Sequence, residues 1–359
     1  MAHQIRVADT GESFEAGPDE TVLEAALRQH VQLPHECTLG GCGTCRVKVN
    51  QGNVAYREFP TGLTEEEHAE GYALACQAMA ESDLDLTLSR RLAPCSPAST
   101  QTLVVKSVSS LAHDVTHLVL ELAQHTELIF RAGQYANVIV PGAGHRSFSM
   151  ASKPHARLID FHIRHIEGGQ FTGARLQQLR PGDTLEAELP LGTFSYHEDD
   201  YRPILVLATG TGIAPIKSMI ESLLDDEGCP PVTLYWGART RPDLYLHDEI
   251  SSWAARLSEF RYVPVLSRAD SDWEGRRGYV QDAAIQDLGH ELAEHAIYLC
   301  GSPTMIAEAK RTLLARQASI HHIYAEGFTQ RAGASISPGV SSCAQPAQAP
   351  RPPRSTRRP

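Results

Sequence analysis

The sequence predicts a multidomain protein of mixed class, in which a small α+β domain precedes an antiparallel β-barrel and a parallel-sheet α/β domain. The chain has 359 residues, which is too long for one ordinary domain. Short alternating apolar runs fill residues 103–194, as they do in a barrel or sandwich. Continuous apolar runs at 204–208 and 232–236, with a helical pattern at 213–224 between them, predict a βαβ unit of a parallel sheet.

The pattern of the first part of the chain is that of a small mixed fold. Apolar residues alternate with polar ones over residues 5–14, around a glycine, and this predicts a hairpin. Thr21 and Glu24 have the spacing of a capping box and predict the start of a helix. Residues 46–50 alternate again. A hairpin, a helix and a later strand together indicate a β-grasp domain.

Four cysteines carry the most specific signal. Cys37, Cys42, Cys45 and Cys76 follow the spacing Cys-x4-Cys-x2-Cys with a distant fourth member, which is the plant-type pattern of ligands to a [2Fe–2S] cluster. Glycines within the loop allow the backbone to turn its N–H groups toward anionic sulfur. A structural zinc site and unrelated thiols are the alternatives. Zinc is disfavoured because only Cys42 and Cys45 form a Cys-x2-Cys pair.

Changes in composition divide the chain. Residues 93–101 hold two prolines and no large apolar side chain, so they predict a linker. Residues 330–359 are rich in small residues, proline and arginine, contain no acid, and predict a disordered tail. We therefore predict domains at 1–95, 101–199 and 200–329.

Charge and hydropathy exclude some classes of function. A formal net charge of −11 argues against nucleic-acid binding, which needs a basic face. The first 30 residues lack the pattern of a signal peptide, and no apolar run is long enough for a membrane span. These observations predict a reducing, cytoplasmic setting.

A glycine-containing loop follows the first strand of the α/β region. Gly210, Thr211 and Gly212 lie where a strand ends and a helix begins, which favours binding of a phosphate by backbone N–H groups. The loop fails as a dinucleotide fingerprint because Pro215 occupies the third glycine position and no acid ends the next strand. A tight strand-to-helix turn without a ligand is the alternative.

Eight motifs in order make the prediction specific. They are Arg146-Ser-Phe-Ser149, Phe161-His-Ile-Arg164, Gly168-Gly-Gln-Phe-Thr172, Pro190-Leu-Gly-Thr-Phe194, the Gly-Thr-Gly loop, Trp236-Gly-Ala-Arg239, Tyr298-Leu-Cys-Gly-Ser-Pro303 and Tyr324-Ala-Glu-Gly-Phe328. This series resembles the ferredoxin–NAD(P)⁺ reductase superfamily. With the N-terminal cysteine pattern, residues 3–329 resemble the reductase component of bacterial aromatic-ring-hydroxylating dioxygenases, of the benzoate and naphthalene dioxygenase reductase kind. The resemblance implies a β-grasp ferredoxin, a flavin-binding antiparallel β-barrel and a parallel-sheet nicotinamide-binding domain.

The resemblance also implies which residues meet the flavin ring. Arg146 would pair with the phosphates of FAD, and Ser149 would lie near flavin N5. Phe148 stands where the family has tyrosine. Stacking on the flavin would survive this change, while one hydroxyl hydrogen bond would be lost.

Further flavin contacts are implied on the next two motifs. The backbone around Gly168, Gly169 and Thr172 would bind the pyrophosphate, using the N–H groups of Gly169 and Thr172 at a helix start. His162 and Arg164 are candidates for contacts with the adenine half. The alternative for these two is an exposed strand face.

The C-terminal motifs imply the nicotinamide site. Cys300 would lie beside the nicotinamide and line the hydride path, the alternative being a buried core cysteine. Glu326 and Phe328 would lie near the isoalloxazine, with the aromatic ring covering it until nicotinamide arrives. Arg239 and Arg241 could engage a 2′-phosphate, yet the resemblance favours NADH.

Together these residues predict an electron-transfer enzyme. Electrons would pass from NADH through FAD to the [2Fe–2S] cluster and on to a terminal oxygenase or ferredoxin component, because a flavin accepts a hydride and releases single electrons. The terminal acceptor could instead belong to a soluble monooxygenase or a deoxysugar dehydratase. A non-catalytic iron–sulfur protein that has lost its flavin is the alternative from another class, with slight support from Phe148.

Overall fold

A computed structural model describes residues 2–328, apart from 36, 37, 39, 41, 42, 90–92, 94, 125–127, 155, 156 and 225. The described residues form one mixed five-stranded sheet, one antiparallel six-stranded sheet, one parallel six-stranded sheet and a small two-stranded sheet. This architecture confirms the predicted fold class. The domain limits themselves stay a prediction, and the predicted disorder of 330–359 lies outside the described residues.

The N-terminal part is the mixed sheet with two short helices. Its elements are β1 (His3–Val7), β2 (Ser13–Ala16), α1 (Val22–Arg28), β3 (Arg46–Gln51), β4 (Val54–Ala55), α2 (Glu65–Ala69), β5 (Tyr72–Leu74), β6 (Met79–Ala80) and β7 (Leu84–Leu88). The sheet order is β2-β1-β7-β3-β5, with β1 and β7 parallel. The predicted capping box is confirmed: Glu24 N–H donates to the Thr21 hydroxyl, and Thr21 N–H donates to the Glu24 carboxylate. Because α1 buries Val22, Leu23 and Ala26 in the same core as the sheet, the fold is a β-grasp.

The middle part is the antiparallel barrel. Its elements are β8 (Ser99–Ala112), β9 (Val115–Leu122), β10 (Tyr135–Val140), β11 (Gly144–Ser149), β12 (Leu158–Arg164), α3 (Leu176–Gln178) and β13 (Thr184–Leu191). The order is β11-β10-β13-β8-β9-β12, and the two end strands β11 and β12 contact each other. Strand β8 begins at Ser99, which pairs with Leu189. The end of the predicted linker is therefore part of a strand, because pairing with β13 orders it.

The C-terminal part is the parallel sheet. Its elements are β14 (Ile204–Thr209), α4 (Ile213–Leu223), β15 (Val232–Ala238), α5 (His247–Ser252), β16 (Phe260–Leu266), β17 (Arg276–Arg277), α6 (Val280–Leu288), β18 (Ala296–Gly301), α7 (Pro303–Leu314) and β19 (Ile323–Gly327). The order is β17-β16-β15-β14-β18-β19, and every pairing is parallel. The strands are continuous apolar runs because both of their faces are covered.

Helices cover the two faces of this sheet and define where it can bind a ligand. Helix α4 shares one hydrophobic core with alternate residues of β14 and β15, whereas α6 and α7 share a second core with the other residues of these strands. The chain leaves β14 and β18 toward opposite faces. In such sheets a ligand binds in the crevice at the carboxyl ends of the strands where the order reverses. The structure therefore points to the ends of β14 and β18.

Candidate cofactor sites

Two of the four predicted cluster ligands come together from distant parts of the chain. Cys45 directly precedes β3 and Cys76 follows β5, and these two strands are paired. The N–H of Ala75 donates to the carbonyl of Cys45 at 3.0 Å. Both cysteines are buried, with 2% and 5% of their surface exposed. Cys37 and Cys42 lie outside the described residues, so their predicted role stays a prediction.

The surroundings of these cysteines fit an iron–sulfur cluster. Gly40 has a φ of +74°, and a Cβ there would lie 2.8 Å from Gln77 and 2.9 Å from Pro60. The loop thus passes so close to its neighbours that only glycine is accommodated. Burial, and next the adjacent Cys45 and Cys76, raise the pKa of Tyr56 to about 12, so this phenol stays neutral beside the sulfur atoms. A thiol donor set in such a loop suits [2Fe–2S] ligation.

Strand β11 carries an aromatic ring and a hydroxyl group on two adjacent residues, Phe148 and Ser149. Ser149 is 7% exposed, and no hydrogen bond to its hydroxyl is formed by another residue that the structure describes. It stands opposite Tyr135 of β10. Phe148 is half-buried and its ring centre lies 5.5 Å from that of Phe171. A buried hydroxyl with unused hydrogen-bonding capacity fits a polar ligand such as the flavin ring.

Arg146 lies on the same strand with part of its guanidinium already engaged. It donates to the carbonyls of Ala143 and His145 at 3.0 and 2.7 Å, and to the side chain of Gln170 at 3.3 Å. These contacts fix the direction of the side chain. A guanidinium has five N–H donors, so capacity remains for the predicted phosphate contact.

The surroundings of the paired glycines Gly168 and Gly169 differ in part from those that the predicted pyrophosphate contact requires. Residues 170–175 form a π-helical turn that continues into α3. A Cβ on Gly169 would collide with the Thr172 hydroxyl and lie 2.9 Å from the carbonyl oxygen of Ile166, so the turn requires glycine for its own packing. The Gly169 N–H donates to that carbonyl at 2.9 Å. It is therefore not available to a pyrophosphate as predicted, whereas Gly168, with a φ of +72°, and Thr172 stay candidates.

His162 occupies a position that neither sequence interpretation anticipated. Its side chain is 1% exposed, and its Nδ1 lies 3.3 Å from the hydroxyl of Tyr245, which belongs to the parallel-sheet part. Burial lowers the pKa of His162 to about 3 despite the opposing effect of Asp160. The side chain is thus a neutral packing element between barrel and parallel sheet. It is not an exposed strand residue, and it offers almost no surface to adenine.

Arg164 reaches across the same boundary. Its Nη1 lies 3.3 Å from Asp114 Oδ2, and its Nη2 lies 3.1 Å from the place that a Cβ on Gly210 would take. The guanidinium therefore lies directly beside the Gly-Thr-Gly loop. This is compatible with a phosphate ligand there, and it shifts the expected contact of Arg164 toward the loop.

The Gly-Thr-Gly loop meets Cys300 at the ends of β14 and β18. Gly210 has a φ of +54°, and its carbonyl accepts a hydrogen bond from Trp236 Nε1 at 3.0 Å. A Cβ on Gly212 would lie 2.7 Å from the carbonyl carbon of Cys300. Residues Gly210–Gly212 form one 3-10 turn that includes Thr211. The sheet reversal thus brings both predicted nicotinamide motifs together.

The last strand places Glu326 and Phe328 beside Cys300. Cys300 and Glu326 are paired residues of β18 and β19, and the Phe328 N–H donates to the carbonyl of Gly301 at 2.9 Å. Cys300 is fully buried. Burial, and next Glu326, raise the pKa of the Cys300 thiol well above its usual value. The thiol is therefore uncharged, and a nicotinamide would reach it only after the surrounding groups move.

Tyr135 of the barrel was missed by sequence reasoning. Burial, and next the charge of Glu326, raise the pKa of Tyr135, so this phenol stays neutral and lies within the electrostatic range of that carboxylate. Tyr135 also pairs with Ser149. Strand pairing thus places Ser149 beside Tyr135 in the barrel and Cys300 beside Glu326 in the parallel sheet. The available signal was the Gly-Gln-Tyr sequence at the start of a barrel strand.

Arg239 lies at the outer end of the same crevice. It follows β15 directly and is exposed, and its carbonyl accepts from the N–H of Arg268 at 2.8 Å. Its side chain is open to solvent. Its contact with a nucleotide stays a prediction.

Comparison with known proteins assigns each part of the chain to a domain family. Residues 5–81 match the 2Fe-2S iron-sulfur cluster binding domain, residues 102–196 the oxidoreductase FAD-binding domain and residues 206–311 the oxidoreductase NAD-binding domain. These matches confirm the iron–sulfur interpretation over zinc and the presence of a flavin module.

Full-length similarity extends to reductase components. Reductase component 2 of terephthalate 1,2-dioxygenase from Comamonas sp is 36% identical, over 86% of this chain and 92% of its own length. The reductase component of phenol 2-monooxygenase from Pseudomonas sp. (strain CF600) is 35% identical over 91% and 95%. The crystal structure of the Amycolatopsis reductase GcoB is 33% identical, covers 91% of this chain and 99% of its own, and superposes with a TM-score of 0.68.

The chain therefore belongs to the ferredoxin–NAD(P)⁺ reductase family of oxidoreductases, in the group that joins a [2Fe–2S] domain to FAD-binding and NAD-binding domains. Its relatives are reductase components, as the resemblance predicted. Within the part of the chain that the structure describes, no helix has both the length and the apolar character needed to cross a membrane.

Proposed function

We propose that this protein takes electrons from NADH and delivers them singly to the oxygenase component of a cytoplasmic aromatic-ring hydroxylase. The observation that carries the proposal is the meeting of the FAD-binding and NAD-binding parts at the sheet reversal, where Arg164 of the barrel lies beside Gly210 and Gly212 packs against Cys300. Bound FAD would accept a hydride from the nicotinamide and pass single electrons to the cluster.

The barrel residues would hold and orient the flavin. Ser149 supplies a buried hydroxyl with free hydrogen-bonding capacity, which suits a ring nitrogen or oxygen. Arg146 would neutralise phosphate charge, with its side chain direction fixed by two backbone carbonyls. Phe148 would contribute ring packing without a hydroxyl group. Arg164 stands beside the Gly-Thr-Gly loop and would add positive charge for a nucleotide phosphate.

The residues at the ends of β14 and β18 would seat the nicotinamide. The loop Gly210–Gly212 offers backbone N–H groups at the start of α4, where the helix dipole favours a phosphate. Cys300 holds an uncharged thiol at the end of β18, so it would add no charge beside the nicotinamide ring. Phe328 packs against the core that contains Cys300 and would exclude water from the reacting ring.

The cluster would be held by Cys45 and Cys76, together with Cys37 and Cys42. The described pair is buried and lies across a strand pairing. The electron acceptor beyond the cluster is proposed to be an oxygenase, since two relatives are named as the reductase components of a dioxygenase and a monooxygenase. A separate ferredoxin as carrier, or a deoxysugar dehydratase as acceptor, is an outcome that reconstitution with each purified partner would reveal.

The experiment that tests the carrier order uses Cys76→Ser. We expect this variant to lose NADH-dependent cytochrome c reduction, which requires the cluster, while NADH-dependent ferricyanide reduction by the flavin persists. Cys229→Ser is the matched control, because Cys229 is half-buried and its thiol contacts only the Pro230 carbonyl among the bonds described. Equal loss of both activities in Cys76→Ser, with both retained in Cys229→Ser, would contradict the order.

The choice of nucleotide is tested separately. We expect kcat/KM for NADH to exceed that for NADPH in ferricyanide reduction. A preference for NADPH would contradict this part of the proposal, and loss of that preference in Arg239→Ala would assign the 2′-phosphate contact to Arg239.

A further inference from the structure

The predicted cluster loop is held at both ends by contacts with other parts of the molecule. His35 precedes the loop, and Thr44 lies within it beside Cys45. Both line a small crevice that Thr193 of the barrel region and Tyr324 of β19 complete. The crevice thus gathers the ferredoxin, barrel and parallel-sheet parts at one point.

The first contact is made by a single hydroxyl group. The Thr193 Oγ1 accepts a hydrogen bond from the His35 N–H at 3.2 Å and donates one to the His35 carbonyl at 3.1 Å. Thr193 is 8% exposed. Both the N–H and the carbonyl of His35 therefore bond to one side chain of the barrel region. His35 lies two positions before Cys37, and Thr193 lies just after the end of β13.

The second contact is made by the residue after Cys45. The Arg46 guanidinium donates to Nδ1 of His321, and it pairs with Glu67 of its own domain at 3.1 Å. Nε2 of His321 lies 3.8 Å from the same carboxylate. Only 9% of the Arg46 side chain is exposed. Because His321 lies just before β19, this contact ties the cluster loop to the strand that carries Glu326.

The contact region between the ferredoxin part and the rest of the chain is polar, and not all of its described hydrogen-bonding groups are paired. A third contact joins Arg131 of the barrel region to the Gln32 side chain. Within the described residues, the Nε atoms of Arg46 and Arg131 are buried without hydrogen-bond partners. Buried unpaired donors make a contact less favourable. The position of the ferredoxin part against the rest of the chain therefore depends on the few hydrogen bonds that are formed.

We propose that Thr193 and His321 are positioning residues that hold the cluster loop toward the flavin-binding barrel for internal electron transfer. The proposal rests on the carrier order given under the proposed function. Thr193 sets the position of the chain before Cys37, and His321 sets the position of Arg46 after Cys45. Loss of either contact lowers the fraction of molecules in which the cluster loop is held toward the barrel. The flavin and nicotinamide residues stay in place.

Thr193→Val tests the first contact with a side chain of similar shape. The expected result is a drop of about fivefold in the ratio of cytochrome c to ferricyanide reduction, the change in an equilibrium constant that loss of one hydrogen bond produces. Ferricyanide reduction, iron content and flavin content stay unchanged. Thr193→Ser restores the ratio. Thr102→Val is the control, because the Thr102 hydroxyl bonds Glu186 within the barrel.

A second readout is independent of electron transfer. Hydrogen exchange of the His35 amide, measured on the purified full chain, accelerates about fivefold or more in Thr193→Val and is unchanged in Thr102→Val. His321→Ala lowers the activity ratio in the same way, His321→Gln retains part of it because the amide oxygen can accept from Arg46, and Arg311→Ala does not alter it.

An unchanged ratio in both Thr193→Val and His321→Ala would overturn the proposal, as would unchanged exchange at His35. A parallel fall of both activities with lower thermal stability would also overturn it, since this shows a merely structural role. If the wild-type protein itself lacks flavin, cluster or either activity, the proposed function fails instead.

Discussion

Gly212→Ala is the substitution whose consequence the structure specifies most closely. An added Cβ would collide with the carbonyl oxygen of Cys300 and lie 2.7 Å from its carbonyl carbon and 3.0 Å from the N of Gly301. Ordinary contact begins near 3.4 Å, so one of the two backbone segments must move by about 1 Å. Overpacking of this kind costs about 1–3 kcal/mol, and the shift falls on the loop and strand end that are proposed to seat the nicotinamide.

We therefore expect two linked effects of Gly212→Ala. The thermal midpoint falls by at least about 2 °C, and kcat/KM for NADH in ferricyanide reduction falls by about tenfold, because a displacement approaching 1 Å misplaces the bound group. Gly228→Ala is the matched control beyond the far end of α4, where an added Cβ would meet only the Asp226 carboxylate at 3.3 Å. A wild-type midpoint and a wild-type kcat/KM in Gly212→Ala would refute the packing argument.

Three further predictions follow from individual side chains. Burial lowers the pKa of His162 to about 3, so the folded protein resists protonation of this residue. Its free energy of unfolding therefore decreases as pH falls below about 6.5, by about 2 kcal/mol at pH 5. His162→Gln should show a smaller acid-induced fall in thermal midpoint than the wild type, and an equal fall would contradict this prediction. Phe148→Tyr should tighten FAD binding by about three- to tenfold, the contribution of one added hydrogen bond, when the flavin-free protein is titrated by fluorescence; weaker binding would show that no acceptor faces the ring. Cys300, uncharged and fully buried, should escape alkylation by a thiol reagent at pH 8 until the protein unfolds, and a label on Cys300 in the native protein, found by peptide mapping, would contradict its placement.

Local sequence patterns predicted the helices and strands. The burial and the neighbours of individual side chains were not predictable, because they depend on contacts between distant parts of the chain. The Thr21 capping box, helix α4 and the strand before it were predictable because capping and periodicity act within a few residues. The sequence also predicted that Cys45 and Cys76 would meet. It could not predict that strand pairing would bury both cysteines, or that Tyr245 would cover His162, because these contacts depend on chain packing.

The differences at the candidate site have the same origin. Gly169 was expected to offer its N–H to a phosphate, but the π-helical turn uses that group for Ile166. Thr193 and His35 are 158 positions apart, and neither residue stands out in its own segment. The electrostatic effect of Glu326 on Tyr135 was not predictable, since it depends on how the barrel and the parallel sheet come together.

The most direct test of the central claim is an anaerobic titration of the purified protein with NADH, followed by visible absorption and by electron paramagnetic resonance. We expect loss of the oxidised flavin absorbance together with the signal of a reduced [2Fe–2S] cluster in the same sample, since the flavin takes the hydride and the cluster takes one electron. Flavin reduction with a cluster that stays oxidised, or a protein that binds neither group after reconstitution, would contradict it.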